Sequence, residues 1–126
     1  MRYTLLLHYP EMTPEELGPE ALAEGMREFD AYAKALDAAG ALVSAEVLQP
    51  SAVTTTVTAA DGALRVQDGP FADTKEQLGG TFVIEVADLD AAIEWAGRAP
   101  SINWGSVEIR PTATRFHDGA WTSSEG

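Results

Sequence analysis

His8 and Asp68 are the two side chains whose types best suit acid–base chemistry in this 126-residue chain. A carboxylate that accepts a hydrogen bond from an imidazole orients the ring and raises its basicity, so such a pair can act as a general acid or base near neutral pH. The alternative is structural, because an Asp that opens a turn commonly bonds its own backbone. Both interpretations stay open for Asp68.

Asp68 begins a loop, residues 68–80, in which turn-forming residues, charges and one aromatic residue lie between two apolar segments. Its Asp-Gly opening can form a tight turn, Pro70 fixes φ and removes a hydrogen-bond donor, and the Gly79-Gly80 pair permits backbone angles closed to other residues. We therefore predict a loop of defined shape that takes part in function.

Five more residues around this loop are expected to contact a ligand. Two cations could stabilise negative charge, an acid could bind a polar group, and two aromatic rings could hold an apolar ring: Arg65, Lys75, Asp73, Phe71 and Trp104. The structural alternative for Lys75 is pairing with its neighbours Asp73 and Glu76, which at a surface contributes only about 0–1 kcal/mol. The structural alternative for Phe71 is to anchor the loop to the core, which we favour because a glycine-rich loop needs a hydrophobic attachment.

Hydrophobic patterning predicts two main helices and six strands around these residues. Thr13 and Pro14 mark a helix start, Pro19 interrupts the run so that the long helix begins near residue 19 or 20, and Gly40 ends it. Asp88 caps a second helix. The Asp61-Gly62 pair predicts a short hairpin. The expected strands cover residues 3–9, 41–48, 53–58, 64–67, 81–86 and 106–110, the first of them buried on both faces.

This order of elements, β-α-β, hairpin, β-α-β, is that of two interlocked βαβ units in an antiparallel sheet with both helices on one face. The other face, with Leu6, Val83 and Val107 or their neighbours, would be apolar, and a second copy of the chain is its simplest cover. The tail is a less favoured cover, because it is polar and expected to fray, although Phe116 and Trp121 could dock it.

Strand direction then decides which residues meet. If the strand after the loop is antiparallel to the first strand, His8 lies near the arriving loop, and the last strand starts at the same end, near Trp104. Glu85 and Arg110 lie near the opposite ends of their strands, and a Glu facing the interior there is expected to pair with an Arg.

The composition excludes several classes of function. The formal charge of −12 and the scattered Lys and Arg residues argue against nucleic acid as a partner. With no cysteine and only two histidines, a metal site within one chain is not expected. No phosphate-binding or dinucleotide motif is present, so no cofactor is expected. No apolar run of membrane-spanning length and no signal peptide is recognised, so we expect no membrane partner and a cytoplasmic location.

The run from Asp68 to Gly80 resembles the DGPF signature of the YCII-related (DGPF domain) family, which usually continues as A-E-T-K-E-Q-L-G-G. Asp73 stands where that family commonly has Glu, which keeps the charge and shortens its reach. The resemblance covers about residues 1–112 as one domain and leaves residues 113–126 as a C-terminal tail. It implies an α+β, ferredoxin-like subunit that pairs into a homodimer, a dimeric α/β barrel.

The function that the resemblance implies is less defined. Members of related barrel families isomerise, dehydrohalogenate or oxidise small aromatic or lactone compounds, so the resemblance permits cofactor-free proton transfer on such a molecule. Proteins similar to this one are also often encoded beside extracytoplasmic-function sigma factors, which gives a regulatory or interaction module as the alternative. A purely structural domain is the third interpretation.

Overall fold

The structure is a computed structural model, and it describes residues 1–123. Eight strands and three α-helices follow one another along this described part of the chain. The strands are β1 (Arg2–Tyr9), β2 (Leu42–Val47), β3 (Thr55–Ala60), β4 (Ala63–Asp68), β5 (Gln77–Glu85), β6 (Ser106–Pro111), β7 (Thr114–His117) and β8 (Ala120–Ser123). The helices are α1 (Pro14–Leu17), α2 (Pro19–Ala38) and α3 (Leu89–Gly97), and short 3₁₀ turns cover Ser51–Val53 and Pro100–Asn103.

Four strands form the main sheet in the order β2-β5-β1-β6, and each neighbouring pair is antiparallel. The two central strands are joined to the edge strands through helices, so two βαβ units interlock as predicted. The predicted α+β, ferredoxin-like fold is confirmed. In the sequence, the β3–β4 hairpin lies between β2 and β5. Among residues 1–123 its two strands pair only with each other.

The helix boundaries follow the predicted signals. Thr13 and Glu16 form a capping box, in which the Thr13 hydroxyl accepts from the Glu16 N–H at 3.1 Å and the Glu16 carboxylate accepts from the Thr13 N–H at 3.2 Å. The long helix α2 begins at Pro19. It ends at Ala38, and Gly40, with φ of 72°, turns the chain so that the N–H of Ala41 bonds back to the carbonyl of Leu36 at 3.0 Å.

The core lies between the helices and one face of the sheet. The sheet contributes alternate residues of its two central strands: Tyr3, Leu5, Leu7, Phe82 and Ile84. Tyr32 and Leu36 of α2 cover them, with the ring of Tyr32 edge-on to Phe82 at 5.1 Å between centroids. The small residues Ala92 and Ala96 let α3 approach the same layer.

The opposite face of the main sheet is uncovered in the single chain, and two expectations about it are wrong. The first strand is not buried on both faces, because its alternate residues, such as Leu6, are only half-buried. Val107 packs against the core on the helix side. Apart from Leu6, Leu78 and Val83, this open face is polar, because cross-strand neighbours share a face and the register places there Thr4, His8, Ser44, Glu46, Thr81, Glu85, Ser106, Glu108 and Arg110.

The ion pair predicted for Glu85 is confirmed, with Arg2 as the partner. Glu85 Oε1 lies 3.5 Å from Arg2 Nε, and its other oxygen lies 3.0 Å from the ammonium of Met1. The hydrogen bond from this ammonium, and then the Arg2 charge, lower the pKa of Glu85. This ion pair lies at the end of the sheet that is farthest from His8.

The expectation of a frayed tail is wrong for residues 114–123, which form the β7–β8 hairpin; residues 124–126 lie outside the described part. Asp118 and Gly119 both have positive φ, 51° and 79°, as a two-residue hairpin turn requires. Phe116 and Trp121 face each other across the hairpin, 5.5 Å between ring centroids. The two side chains are 60% and 69% exposed, so they do not dock the tail onto the core.

Among the described residues, no helix has both the length and the apolar character needed to cross a membrane.

Candidate functional site

His8 lies at the end of β1 on the open face of the sheet, and its partner is Glu108. The imidazole Nε2 is 2.5 Å from Glu108 Oε1. The strand register explains the contact: Ser106 is directly opposite His8, and Glu108 is two residues further along β6 on the same face. Diagonal neighbours of this kind are within reach of long side chains.

This contact defines the chemistry that His8 can perform. In the tautomer whose Nε2–H donates to the carboxylate, the neutral ring keeps Nδ1 as an acceptor. A carboxylate in this position also stabilises the imidazolium that forms when Nδ1 takes a proton. His8 and Glu108 together can therefore accept a proton from a ligand and return it.

A second carboxylate reaches the same end of the sheet from the loop. Glu76 is half-buried, and its Oε1 accepts a hydrogen bond of 3.0 Å from the Ser106 hydroxyl. Ser106 faces His8 across the strand pair. The hydrogen bond therefore joins the loop to the start of β6, beside the imidazole.

The loop has the defined shape that its sequence predicts. Gly69, with φ of 101°, donates to the carbonyl of Thr54 at 2.7 Å and accepts from the Thr56 hydroxyl at 2.7 Å. At its far end the Gln77 amide donates to the carbonyls of Ala72 and Thr74, at 3.3 and 3.2 Å. These bonds hold the two ends of the loop on β3 and on β5.

Trp104 is one of the predicted ligand contacts that the structure brings to the His8 end. Its ring is edge-on to Tyr9 at 5.1 Å between centroids, and Tyr9 directly follows His8. Trp104 is 49% exposed, so part of its apolar surface remains available to a ligand. Burial, with the negative charge of Glu11, raises the pKa of Tyr9 and keeps its phenol neutral.

Asp68 is placed elsewhere, in the two-stranded hairpin. It is exposed at the end of β4, opposite Thr55, and within residues 1–123 His8 is hydrogen-bonded to Glu108 and not to Asp68. Arg65 is on the same strand, exposed and opposite Thr58. These two residues stay predicted contacts of a ligand, and the structure shows no bond from either to the His8 end of the sheet.

The two structural alternatives for the loop, ion pairing of Lys75 and anchoring by Phe71, are both wrong. In the described part of the chain Asp73, Lys75 and Glu76 form no ion pair, so the expected pairing among them is wrong, and Glu76 bonds Ser106 instead. Phe71 does not anchor the loop, because its side chain is 87% exposed. The loop is held by hydrogen bonds of its polar and glycine residues, and Phe71 is left free to contact something else.

Neither of two grooves on the surface has His8 in its wall. One, of about 450 Å³, lies between α2 and the second 3₁₀ turn, and Tyr32, Arg98 and Asn103 line it. The other, of about 620 Å³, runs along the start of α2. Within residues 1–123 no cluster of three or more His, Asp or Glu side chains is arranged to hold a metal ion. The His8 end of the sheet is thus an open surface in the single chain.

Sequence reasoning missed Glu108 as a member of this site and Tyr9 as its neighbour, which packs against the core on the helix side. Glu108 could have been found by assigning the register of β1 against β6, since the Ser106–Arg110 strand alternates polar and apolar residues and Glu108 is on its polar face. Tyr9 gives no such signal, because its surroundings are formed by two glycines that are distant in sequence.

Comparison with known proteins places this architecture in a family. The model of the YCII-related domain matches residues 1–114. An uncharacterized protein of Rhizobium meliloti (strain 1021) is 35% identical over 115 residues, which cover 90% of this chain and 93% of that protein. With its signature loop, its interlocked sheet and a match over nearly its whole length, the chain belongs to the YCII-related domain family.

Proposed function

We propose that this protein binds a small molecule at the His8 end of the open sheet face and transfers a proton on it without a cofactor. The observation that supports this most is the 2.5 Å contact between His8 Nε2 and Glu108 Oε1. An imidazole oriented by a carboxylate at the rim of a sheet is suited to general acid–base catalysis. The substrate class is a small aromatic or lactone compound, as in related barrel families.

The proton moves in two steps. Nδ1 of neutral His8 takes a proton from an acidic C–H or O–H of the substrate, and the electron pair of that bond stays on the substrate as an enolate or phenolate. Glu108 stabilises the imidazolium through Nε2–H. The imidazolium then returns the proton to another atom of the same molecule, which completes an isomerisation and leaves His8 neutral.

The remaining predicted residues are proposed as ligand contacts. Trp104 and Phe71, both exposed aromatic residues, supply apolar surface for a ring. Lys75 of the loop and Arg65 of the β3–β4 hairpin are proposed to balance the charge of an enolate, with Asp68 and Asp73 as polar contacts. We further propose that a second copy covers the open face, because an open surface does not exclude water from a bound anion.

Nuclear magnetic resonance tests ligand binding directly, because the chain has two histidines and His117 is on the separate β7–β8 hairpin. A mixture of small aromatic acids and lactones should shift the ring resonances of His8 and leave those of His117 unchanged. A shift of both, or of neither, would contradict the proposed site.

Deuterium exchange tests proton transfer. Compounds that shift His8 should incorporate deuterium from D₂O, and the rate should fall at least about 10²-fold in His8→Ala. His117→Ala is the matched control and should exchange at the unmodified rate. Binding without any incorporation of deuterium would leave a binding protein and exclude the catalytic step.

An interaction module is the second candidate, and the β3–β4 hairpin favours it. Val57, Leu64 and Val66 are each more than half exposed there, although an isolated two-stranded hairpin is at best marginally stable in water. In this case a purified extracytoplasmic-function sigma factor should bind the protein, and Leu64→Lys should abolish binding while His8→Ala does not. Binding that ignores Leu64→Lys would exclude the hairpin as the interface.

A further inference from the structure

The ring of Tyr9 lies directly over Gly79, in space that a side chain at position 79 would occupy. A β-carbon on Gly79 would lie 2.6 Å from Cε1 of Tyr9 and closer still to its Cζ and hydroxyl oxygen. Such contacts are below those of real side chains, so the ring and any larger residue at position 79 exclude each other. Gly79 is buried, which shows that the phenol closes the space above it.

Gly105 limits the same side chain from the other strand. A β-carbon there would lie 2.9 Å from Cβ of Tyr9 and closer still to the carbonyl oxygen of His8. Trp104, the residue before it, contacts the Tyr9 ring edge-on. Tyr9 is therefore held between β5 on one side and the start of β6 on the other.

This arrangement coincides with an irregularity in the sheet. Leu7 pairs with Gly80, but His8 pairs with Leu78, so Gly79 is an extra residue on β5. Such a β-bulge changes the direction in which the neighbouring side chains point. The carbonyl of Gly79 bonds the N–H of Leu48 at 2.8 Å, which fixes the bulge to β2.

We infer that Tyr9 is a positioning residue for His8: seated between Gly79 and Gly105, it fixes the backbone at the bulge so that the imidazole meets Glu108. The inference rests on the proposed function only for the use of His8, since the geometry is a property of the free protein. It also gives Gly79 and Gly105 a role, because a side chain at either position would occupy space that Tyr9 fills.

Five variants test this: Tyr9→Phe, Tyr9→Leu, Tyr9→Ala, Gly79→Ala and the double variant Tyr9→Ala/Gly79→Ala. The readout is the nuclear Overhauser contact between the His8 ring protons and the Hγ protons of Glu108, with the His117 resonances as an internal reference. Tyr9→Phe keeps the ring and should keep the contact. Tyr9→Leu and Gly79→Ala should lose it while the His117 resonances stay unchanged.

Gly97→Ala is the matched control, since a β-carbon there meets nothing within 4 Å. It should keep the His8–Glu108 contact. The melting temperature of the double variant should lie above the value expected from adding the two single losses, because the added methyl group then has room. The inference is overturned if folded Tyr9→Leu or folded Gly79→Ala retains the His8–Glu108 contact; should Gly79→Ala not fold, Tyr9→Leu decides.

The result is separable from the proposed function. If Tyr9→Leu loses the contact but no ligand ever shifts His8, the positioning role stands and the proposed function fails. If ligands bind and exchange deuterium equally well in Tyr9→Leu with the contact intact, the positioning role fails and the proposed function stands.

Discussion

The hydroxyl of Tyr32 donates a 2.7 Å hydrogen bond to the main-chain oxygen of Trp95 and so joins α2 to α3. The same ring packs edge-on against Phe82 of the sheet. One side chain thereby fixes both helices on the central strands, and its polar atom is satisfied at the point where α3 ends. Residues 98–105, which include the second 3₁₀ turn, connect α3 to β6, so this bond also supports the segment that leads into the strand carrying Glu108.

Tyr32→Phe should lower the free energy of unfolding at pH 7 by about 1–2 kcal/mol, because the carbonyl of Trp95 loses its donor. Burial raises the pKa of Tyr32 to about 12, although the positive charge of Arg98 opposes the shift. The folded state thus holds this proton more tightly than the unfolded chain, whose tyrosine pKa is about 10.

The sign of the pH dependence follows from that difference. The contribution of Tyr32 is fully present below about pH 10 and is lost as the pH rises toward 12. Urea unfolding measures the difference in the free energy of unfolding between the unmodified protein and Tyr32→Phe. This difference should be about 1 kcal/mol smaller at pH 11 than at pH 9. Curves that stay parallel over this range would show that the phenol ionises as it does in the unfolded chain.

Glu108→Gln should separate chemistry from stability. The His8–Glu108 hydrogen bond is partly exposed, so its loss should change the free energy of unfolding by no more than about 1 kcal/mol. Under the proposed function, deuterium exchange should fall about 10²-fold or more, because the imidazolium loses its counter-charge. Glu46→Gln, an exposed glutamate of β2 on the same sheet face, is the control, and an equal loss of exchange there would point to a general effect of charge.

Glycine substitutions should have opposite effects at two positions. At Gly25, inside α2, a β-carbon meets nothing within 4 Å, so Gly25→Ala should raise the free energy of unfolding by about 0.5–1 kcal/mol. At Gly80 a β-carbon would lie 2.9 Å from the carbonyl oxygen of Glu46, so Gly80→Ala should lower it by about 1–3 kcal/mol through displacement of β2. Chemical denaturation of both variants measures this, and a neutral Gly80→Ala would contradict the close approach.

Phe71→Ala should leave the free energy of unfolding of the single chain within about 0.5 kcal/mol, since the ring is exposed. The substitution should instead weaken binding of an aromatic ligand or self-association. Sedimentation measurements and the His8 titration with ligand distinguish the two, and a large loss of stability in a monomeric sample would restore the role of Phe71 as an anchor.

Deletion of residues 114–126 should leave the main sheet folded. Within the described part of the chain β7 and β8 pair with each other only. The residue after β6, Thr112, is still attached to the main sheet, because its N–H donates to the Arg2 carbonyl at 2.9 Å. The far-ultraviolet circular dichroism and the His8 resonances of the shortened chain should match those of the full chain. Loss of cooperative unfolding would show that the tail hairpin belongs to the core.

The helices and strands of this protein are predicted by local sequence. Thr13, Pro14 and Pro19 fix where the first helices begin, Gly40 fixes where the long one ends, and alternating apolar residues predict the strands, because caps, φ restrictions and side-chain periodicity act over a few residues. The tail hairpin follows the same rule. Its Asp118-Gly119 turn has the same residue types as the Asp61-Gly62 turn, from which the sequence predicts the β3–β4 hairpin.

The partners of each functional side chain were decided by the tertiary structure. The topology correctly brought the start of β6 to His8, but only the register shows that Glu108, and not Asp68, is the carboxylate within reach. The same holds for Tyr9, whose place depends on two glycines on other strands. Such contacts depend on one-residue steps of register, each of which moves a side chain to the other face of the sheet. Alternation in β6 places Glu108 on the polar face, but the register joins it to a residue 100 positions away in the chain, and packing across the strands decides that pairing.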